Sequence, residues 1–236
     1  MYHSGIVLLN PAGIAGMSSP SFMLSSNNRY MLPELNTSSL SAIIPVSVKG
    51  TGGISASYFG NSRFNKQQYT MCYSHVLGDR INAGISFDYL SARLPDEYGH
   101  AYALLGEIGM LVQATERVSV GVHAYNISNS SVKPFPDEEL SCFMAAGAAY
   151  TDKLFVLTSQ VKINKNEPAE FSAGAEIIPI KHLALRLGIS TNALMSYTFG
   201  IGYNLAKINA DIAFMKHPVL GFSSGISVQI SLGNKK

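Results

Sequence analysis

Tryptophan is absent from this 236-residue chain, cysteine occurs only twice, and charged residues make up just 14% of it. Soluble domains carry roughly a quarter charged residues, so a chain this poor in charge builds no ordinary water-facing surface. Long apolar runs are missing as well. Hydrophobic residues reach 47%, yet no run approaches the roughly 18 residues that a spanning helix needs. Low charge without long greasy runs fits strands that hide apolar residues in alternation. Cys72 and Cys142 lie in separate strand patterns and read as two small strand residues, with a disulfide between them as the second reading. No CxxC or Cys/His metal spacing occurs, and no cofactor is expected. The net charge of +2 gives no reason to expect a nucleic-acid partner.

Alternation is what the chain has in abundance. In Met195, Tyr197, Phe199, Ile201, Tyr203 and Leu205 every odd position is large and apolar, while the even positions between them are small or polar. Successive strand residues point to opposite faces, so this is one strand with a greasy face and a slick face. The pattern predicts about fourteen strands, over residues 21–30, 37–46, 50–60, 67–77, 81–91, 101–114, 118–128, 141–150, 154–163, 169–178, 183–191, 195–205, 208–215 and 222–232. No helical period stands out, except a short segment near residues 6–15.

The connections between these strands alternate in length. Tight ones fall near residues 78–80, 115–117, 151–153, 179–182 and 206–207. Longer ones lie near 31–36, 61–66, 93–100, 129–140 and 216–221, with a short exception near 191–194. Outer-membrane barrels have short periplasmic turns and longer extracellular loops. The slick face decides which way the barrel is turned. A water-facing surface is rich in Lys and Glu, whereas this face is mainly Gly, Ser, Ala, Thr and Asn. Such a face suits a crowded lumen, which leaves the bulky face for membrane lipid. Tyr69, Tyr89, Tyr150 and Tyr203 are expected near the membrane interfaces. The expected fold is all-β: a transmembrane, antiparallel, up-and-down barrel of about fourteen strands, spanning 21–236.

The ionisable residues expected to face the lumen are Asp88, Glu107, Lys162, Glu176, Arg186 and Asp211. Charges in a narrow lumen pair with one another, because an unpaired one costs several kcal/mol. Glu176 and Arg186 fall on neighbouring strands and can pair across them. A substrate pathway along these residues is the second reading. No GxSxG, HExxH or phosphate-binding glycine loop is present, and no spacing singles out a catalytic triad. The expectation is a protein that is not an enzyme.

Before the first strand lies Asn10-Pro11-Ala12-Gly13-Ile14-Ala15-Gly16, a turn sequence in which Pro fixes φ and Gly permits left-handed backbone. Near the far end stand Ala210-Asp211-Ile212-Ala213-Phe214 and then His217-Pro218-Val219-Leu220-Gly221-Phe222-Ser223. With about fourteen strands between them, these segments resemble the FadL-like superfamily of outer-membrane proteins. That superfamily includes long-chain fatty-acid transporters and the PorV and PorQ barrels of the Bacteroidetes type IX secretion system. The second segment resembles the Asp-Tyr-Ala…His-Pro-x-Leu-Gly-x-Ser ending of PorV/PorQ-type proteins. The resemblance implies an outer-membrane location. It also implies that residues 1–20 form a short N-terminal hatch or plug segment, to which Asn10, Pro11, Ala12 and Gly13 belong. The implied partners are membrane lipid and either a hydrophobic small molecule or secretion-system proteins. Two rival readings stay open: a soluble ligand-binding β-barrel and an outer-membrane lipid-modifying enzyme. Met1-Tyr2-His3-Ser4 carries no basic region and 5–9 is too short for a signal core, so the export signal is expected outside this sequence.

Overall fold

The structure, a computed structural model, describes residues 9–94, 99–134, 140–165, 167–192 and 194–233. Residues 1–8 of the expected hatch and residues 135–139 of the long loop lie outside the described residues.

Fourteen strands follow one another along the chain. They are β1 (Ser21–Asn28), β2 (Asn36–Pro45), β3 (Gly50–Gly60), β4 (Asn65–Val76), β5 (Ile81–Arg93), β6 (His100–Gln113) and β7 (Val118–Tyr125). Then come β8 (Phe143–Thr151), β9 (Phe155–Asn164), β10 (Glu170–Ile180), β11 (Leu183–Asn192), β12 (Leu194–Asn204), β13 (Ile208–His217) and β14 (Gly221–Ser231). Each pairs antiparallel with its sequence neighbours, and β1 pairs with β14 to close the barrel. Closure satisfies every strand edge, which is the condition for a sheet to stand in hydrocarbon.

The faces follow the alternation in the sequence. Phe87 is 66% exposed, whereas the next residue, Asp88, is 1% exposed. Leu187 is 68% exposed beside the inward Arg186, and Leu104 is 67% exposed between Ala103 and Leu105, both buried. The apolar residues therefore point out and the small and polar ones point in. A soluble barrel would show the reverse. The outward band of Ile, Leu, Phe, Val and Tyr is the surface that lipid covers.

Four local differences from the sequence reading have physical causes. Arg29 and Tyr30, expected at the end of β1, form a 3-10 turn in which Tyr30 has a φ of 56°. β7 stops at Tyr125 because Asn126 takes a φ of 54°, a left-handed state that Asn tolerates. Pro179, expected in a turn, lies inside β10 where the register to β11 shifts between Ile177 and Ile180. An irregularity of that kind is where a strand accepts a residue without an N–H. A tight connection at 46–49, between β2 and β3, joins the other short turns at the same end of the barrel. At the opposite end the connection 126–142 is the longest among those the strands leave.

Candidate functional site

Residues 10–14 form a compact unit through their own chemistry. The Asn10 side chain accepts a hydrogen bond from Ala12 N at 3.0 Å, and Gly13 N donates to Asn10 O at 3.0 Å. Pro11 occupies the first position of the 3-10 turn Pro11–Ile14, where its missing N–H matters least. Asn at the cap and Pro after it are thus local reasons for a turn here.

This turn lies against the inner wall. Pro11, Ala12, Gly13 and Ile14 are all buried. Ser74 Oγ on β4 donates to Ala12 O at 3.3 Å, and Asn10 Nδ2 donates to Val122 O on β7 at 3.3 Å. Ile14 packs with Ile43 of β2 and Cys72 of β4, with Met17 alongside. The floor of the seat is a pair of glycines in register, Gly84 on β5 and Gly109 on β6. A Cβ on Gly84 would stand 2.5 Å from Ala12 N, and one on Gly109 would collide with the Asn10 side chain. Any other residue at either position would lift the turn off the wall.

Next to the seat the wall carries a sealed polar cluster. Asp88 accepts from Thr70 Oγ1 at 2.5 Å and from Gln68 Nε2 at 2.9 Å. Glu107 Oε2 lies 2.7 Å from His123 Nε2, with both side chains under a tenth exposed. Gly109 pairs with His123 across β6 and β7, so the cluster adjoins the backbone that holds Asn10.

The opposite wall holds its charges in the open lumen. Arg186 Nε donates to Glu176 Oε2 at 2.6 Å. Its other arm reaches across β12 to Asp211, over Gly202, whose Cβ would stand 2.9 Å from Arg186 Nη1. Lys162 Nζ lies 3.6 Å from Glu170 and 4.8 Å from the centre of the Phe143 ring. A cavity of about 680 Å³ reaches from Leu9 and Asn10 past Thr37 and Ser57 to Tyr125, Phe143 and Lys162.

Of the residues singled out in the sequence, Glu176, Arg186 and Asp211 come together in one cluster. Asp88 and Glu107 stand on the sealed side, and Lys162 stands apart from both groups with Glu170. His123, Glu170, Phe143 and the two seat glycines were not singled out. Their signal was the cross-strand register, which the alternation alone does not supply. Among the described residues no group of three or more His, Cys, Asp or Glu side chains could hold a metal ion.

No protein-family model matches the sequence, and no curated protein is significantly similar to it. Solved structures are similar in fold. The toluene transporter TodX of Pseudomonas putida superposes with a TM-score of 0.76 at 12% identity, over 99% of this chain and 95% of that one. The chain has the FadL-type barrel fold. A FadL homologue of Pseudomonas aeruginosa gives a TM-score of 0.73 at 9% identity, covering 98% of this chain and 95% of that chain. The toluene transporter TbuX of Ralstonia pickettii gives 0.64 at 10% identity, covering 97% and 92%.

Proposed function

We propose that this FadL-type barrel is an outer-membrane channel, not an enzyme, that passes small hydrophobic molecules, with residues 9–20 acting as its plug. The observation that carries this reading is the turn Pro11–Ile14 buried on a glycine floor inside a closed barrel, below a cavity of about 680 Å³. A segment tied to the wall by two side-chain hydrogen bonds at 3.3 Å is held well enough to block the mouth. Few enough bonds hold it that displacing it is feasible, since each nets only about 0.5–1.5 kcal/mol. The likeness to toluene transporters supports the choice of cargo. The test is uptake of radiolabelled toluene at low concentration by cells that do or do not display the barrel. Faster uptake with the barrel is the expected result, and equal rates would overturn the reading.

A second reading is a PorV/PorQ-type barrel that serves type IX secretion. It is favoured by the segment from His217 to Ser223, which makes an ordered cap. His217 Nδ1 accepts from Val219 N and Leu220 N at 3.2 and 3.1 Å, and its ring meets Tyr30 edge-on. Val219 and Leu220 are left exposed at that rim, as a docking surface for a secretion protein requires. Loss of surface-protein export on deletion, with toluene uptake unchanged, would favour this second reading over the first.

A further inference from the structure

The short turns at one end of the barrel share a feature that strand alternation does not require. Each carries a single Lys or Arg: Lys49, Arg80, Arg117, Lys153, Lys181 and Lys207, all exposed. In three successive turns an acid stands next to the cation, as Asp79 beside Arg80, Glu116 beside Arg117 and Asp152 beside Lys153. Arg117 and Asp152 also pair across two of these turns at 3.5 Å. That arc of the rim, from β4 to β9, is neutral in sum. The turns 181–182, 205–207 and 46–49 hold no acid. Among the described residues Lys49, Lys181 and Lys207 make no ion pair. The positive charge of this rim is therefore concentrated on one arc.

Two of the three acid-free turns meet. Asn204 N donates to His182 O at 2.7 Å, which lays the turn 181–182 against the end of β12. Lys207 follows three residues later, so Lys181 and Lys207 share one corner of the rim. Ile180, Tyr203 and Ile208 are exposed on the outward face at that corner, continuous with the apolar band of the barrel. The Tyr203 ring lies 6.3 Å from that of His182. Lysines on apolar stems above such a shelf, with a tyrosine at the same level, suit the boundary between acyl chains and headgroups. A soluble acidic partner has no use for the shelf, whereas a lipid needs both parts.

We propose that Lys181 and Lys207, with Ile180, Tyr203 and Ile208 beside them, form a site on the outer wall for a phospholipid with an anionic headgroup. The two ammonium groups face the headgroup, and the acyl chains lie on the shelf. A zwitterionic lipid brings its own cation to the same corner and gains less from the lysines. Short turns are periplasmic in outer-membrane barrels, which puts the site in the periplasmic leaflet. The proposal needs the barrel in a membrane and holds whatever the lumen carries.

The chain has no tryptophan, so a single introduced one reports its own surroundings. Leu205→Trp places it at the cationic corner, and Leu77→Trp places it on the neutral arc beside Arg80; both positions are exposed. Each full-length variant is reconstituted in phosphatidylcholine vesicles at low salt. Its fluorescence is then quenched by rising fractions of brominated phosphatidylglycerol or brominated phosphatidylcholine. At Leu205→Trp the anionic lipid should compete about fivefold better than the zwitterionic one, and 0.5 M salt should reduce that preference. At Leu77→Trp the two lipids should quench alike. Adding Lys181→Gln and Lys207→Gln to Leu205→Trp should abolish the preference, with heat-modifiable migration confirming the fold. Equal quenching by the two lipids at Leu205→Trp overturns the proposal and turns this corner toward a soluble acidic partner. An equal preference at both reporters overturns it as well, since the effect then belongs to the whole barrel. Quenching by neither lipid at either reporter overturns the membrane placement of this rim, and none of these results bears on the channel reading.

Discussion

On β5 and β6 the inward carboxylates are sealed, Asp88 at 1% and Glu107 at 6% exposure. On β10, β11 and β13 the inward Glu176, Arg186 and Asp211 keep 25%, 30% and 18% of their side chains accessible. The strands are built alike, with apolar residues outward on both walls. What differs is how far water reaches the charges. The turn Pro11–Ile14 lies on the first wall only, and its glycine floor exists only there. On the first wall Asp88 is held by Thr70 and Gln68, and Glu107 by His123, away from water. A charge on the open wall can share the work with water, and its pairing matters less to stability.

The largest effect that tests this contrast is on the cover. Gly84→Leu places a side chain where Ala12 N now stands and should unseat the turn. Conductance in planar bilayers should then rise well above that of the parent, while the barrel still migrates as folded. Gly188→Leu, on the open wall, should instead narrow the lumen and lower conductance or leave it unchanged. A closed Gly84→Leu channel would remove the cover from the comparison.

Next in size is the sealed pair. Glu107→Ala leaves His123 buried beside an emptied position. Breaking a buried pair costs about 3–5 kcal/mol, and a loss in that range is expected. Urea unfolding in vesicles measures the loss.

The outward faces should show no such asymmetry. Phe87→Arg and Leu187→Arg should each cost roughly 2–4 kcal/mol near the bilayer midplane, by the same unfolding assay. A marked difference between them would mean that the two walls also differ on the lipid side.

The smallest effect belongs to the open wall. Asp211→Asn leaves Arg186 bonded to Glu176 at 2.6 Å and should cost roughly 1 kcal/mol or less, as for a partly solvated pair. A loss as large as that of Glu107→Ala would erase the distinction between sealed and open charge.

Much of the barrel was readable from the sequence. Residues 81–91 announce β5 because Ile81, Ile85, Phe87 and Tyr89 alternate with small or polar partners, and the observed strand runs on only to Arg93. Glu176 and Arg186 were expected on neighbouring strands, and the register aligns them directly. Contacts on the sealed wall were far less legible. That Glu107 meets His123 depends on a diagonal offset between β6 and β7, which no single strand encodes. That Gly84 and Gly109 floor a seat depends on where a segment some seventy to a hundred residues earlier comes to rest. Ends of strands misread for a different reason. Tyr30 looks like a strand residue by type, and Asn126 sits inside an alternating run, but both take left-handed backbone where the strand gives way to a loop.

The central claim is that the turn Pro11–Ile14 sits inside the wall and is shielded there. Its most direct test is thiol labelling in a Cys72→Ser, Cys142→Ser background. Ala12→Cys and Val48→Cys are each exposed to a bulky water-soluble maleimide in the folded barrel, with both faces of the membrane accessible. Val48, 98% exposed in a tight turn, should label at once, while position 12, now 0% exposed, should stay protected until the barrel is denatured. Labelling of Ala12→Cys as fast as that of Val48→Cys would contradict the account.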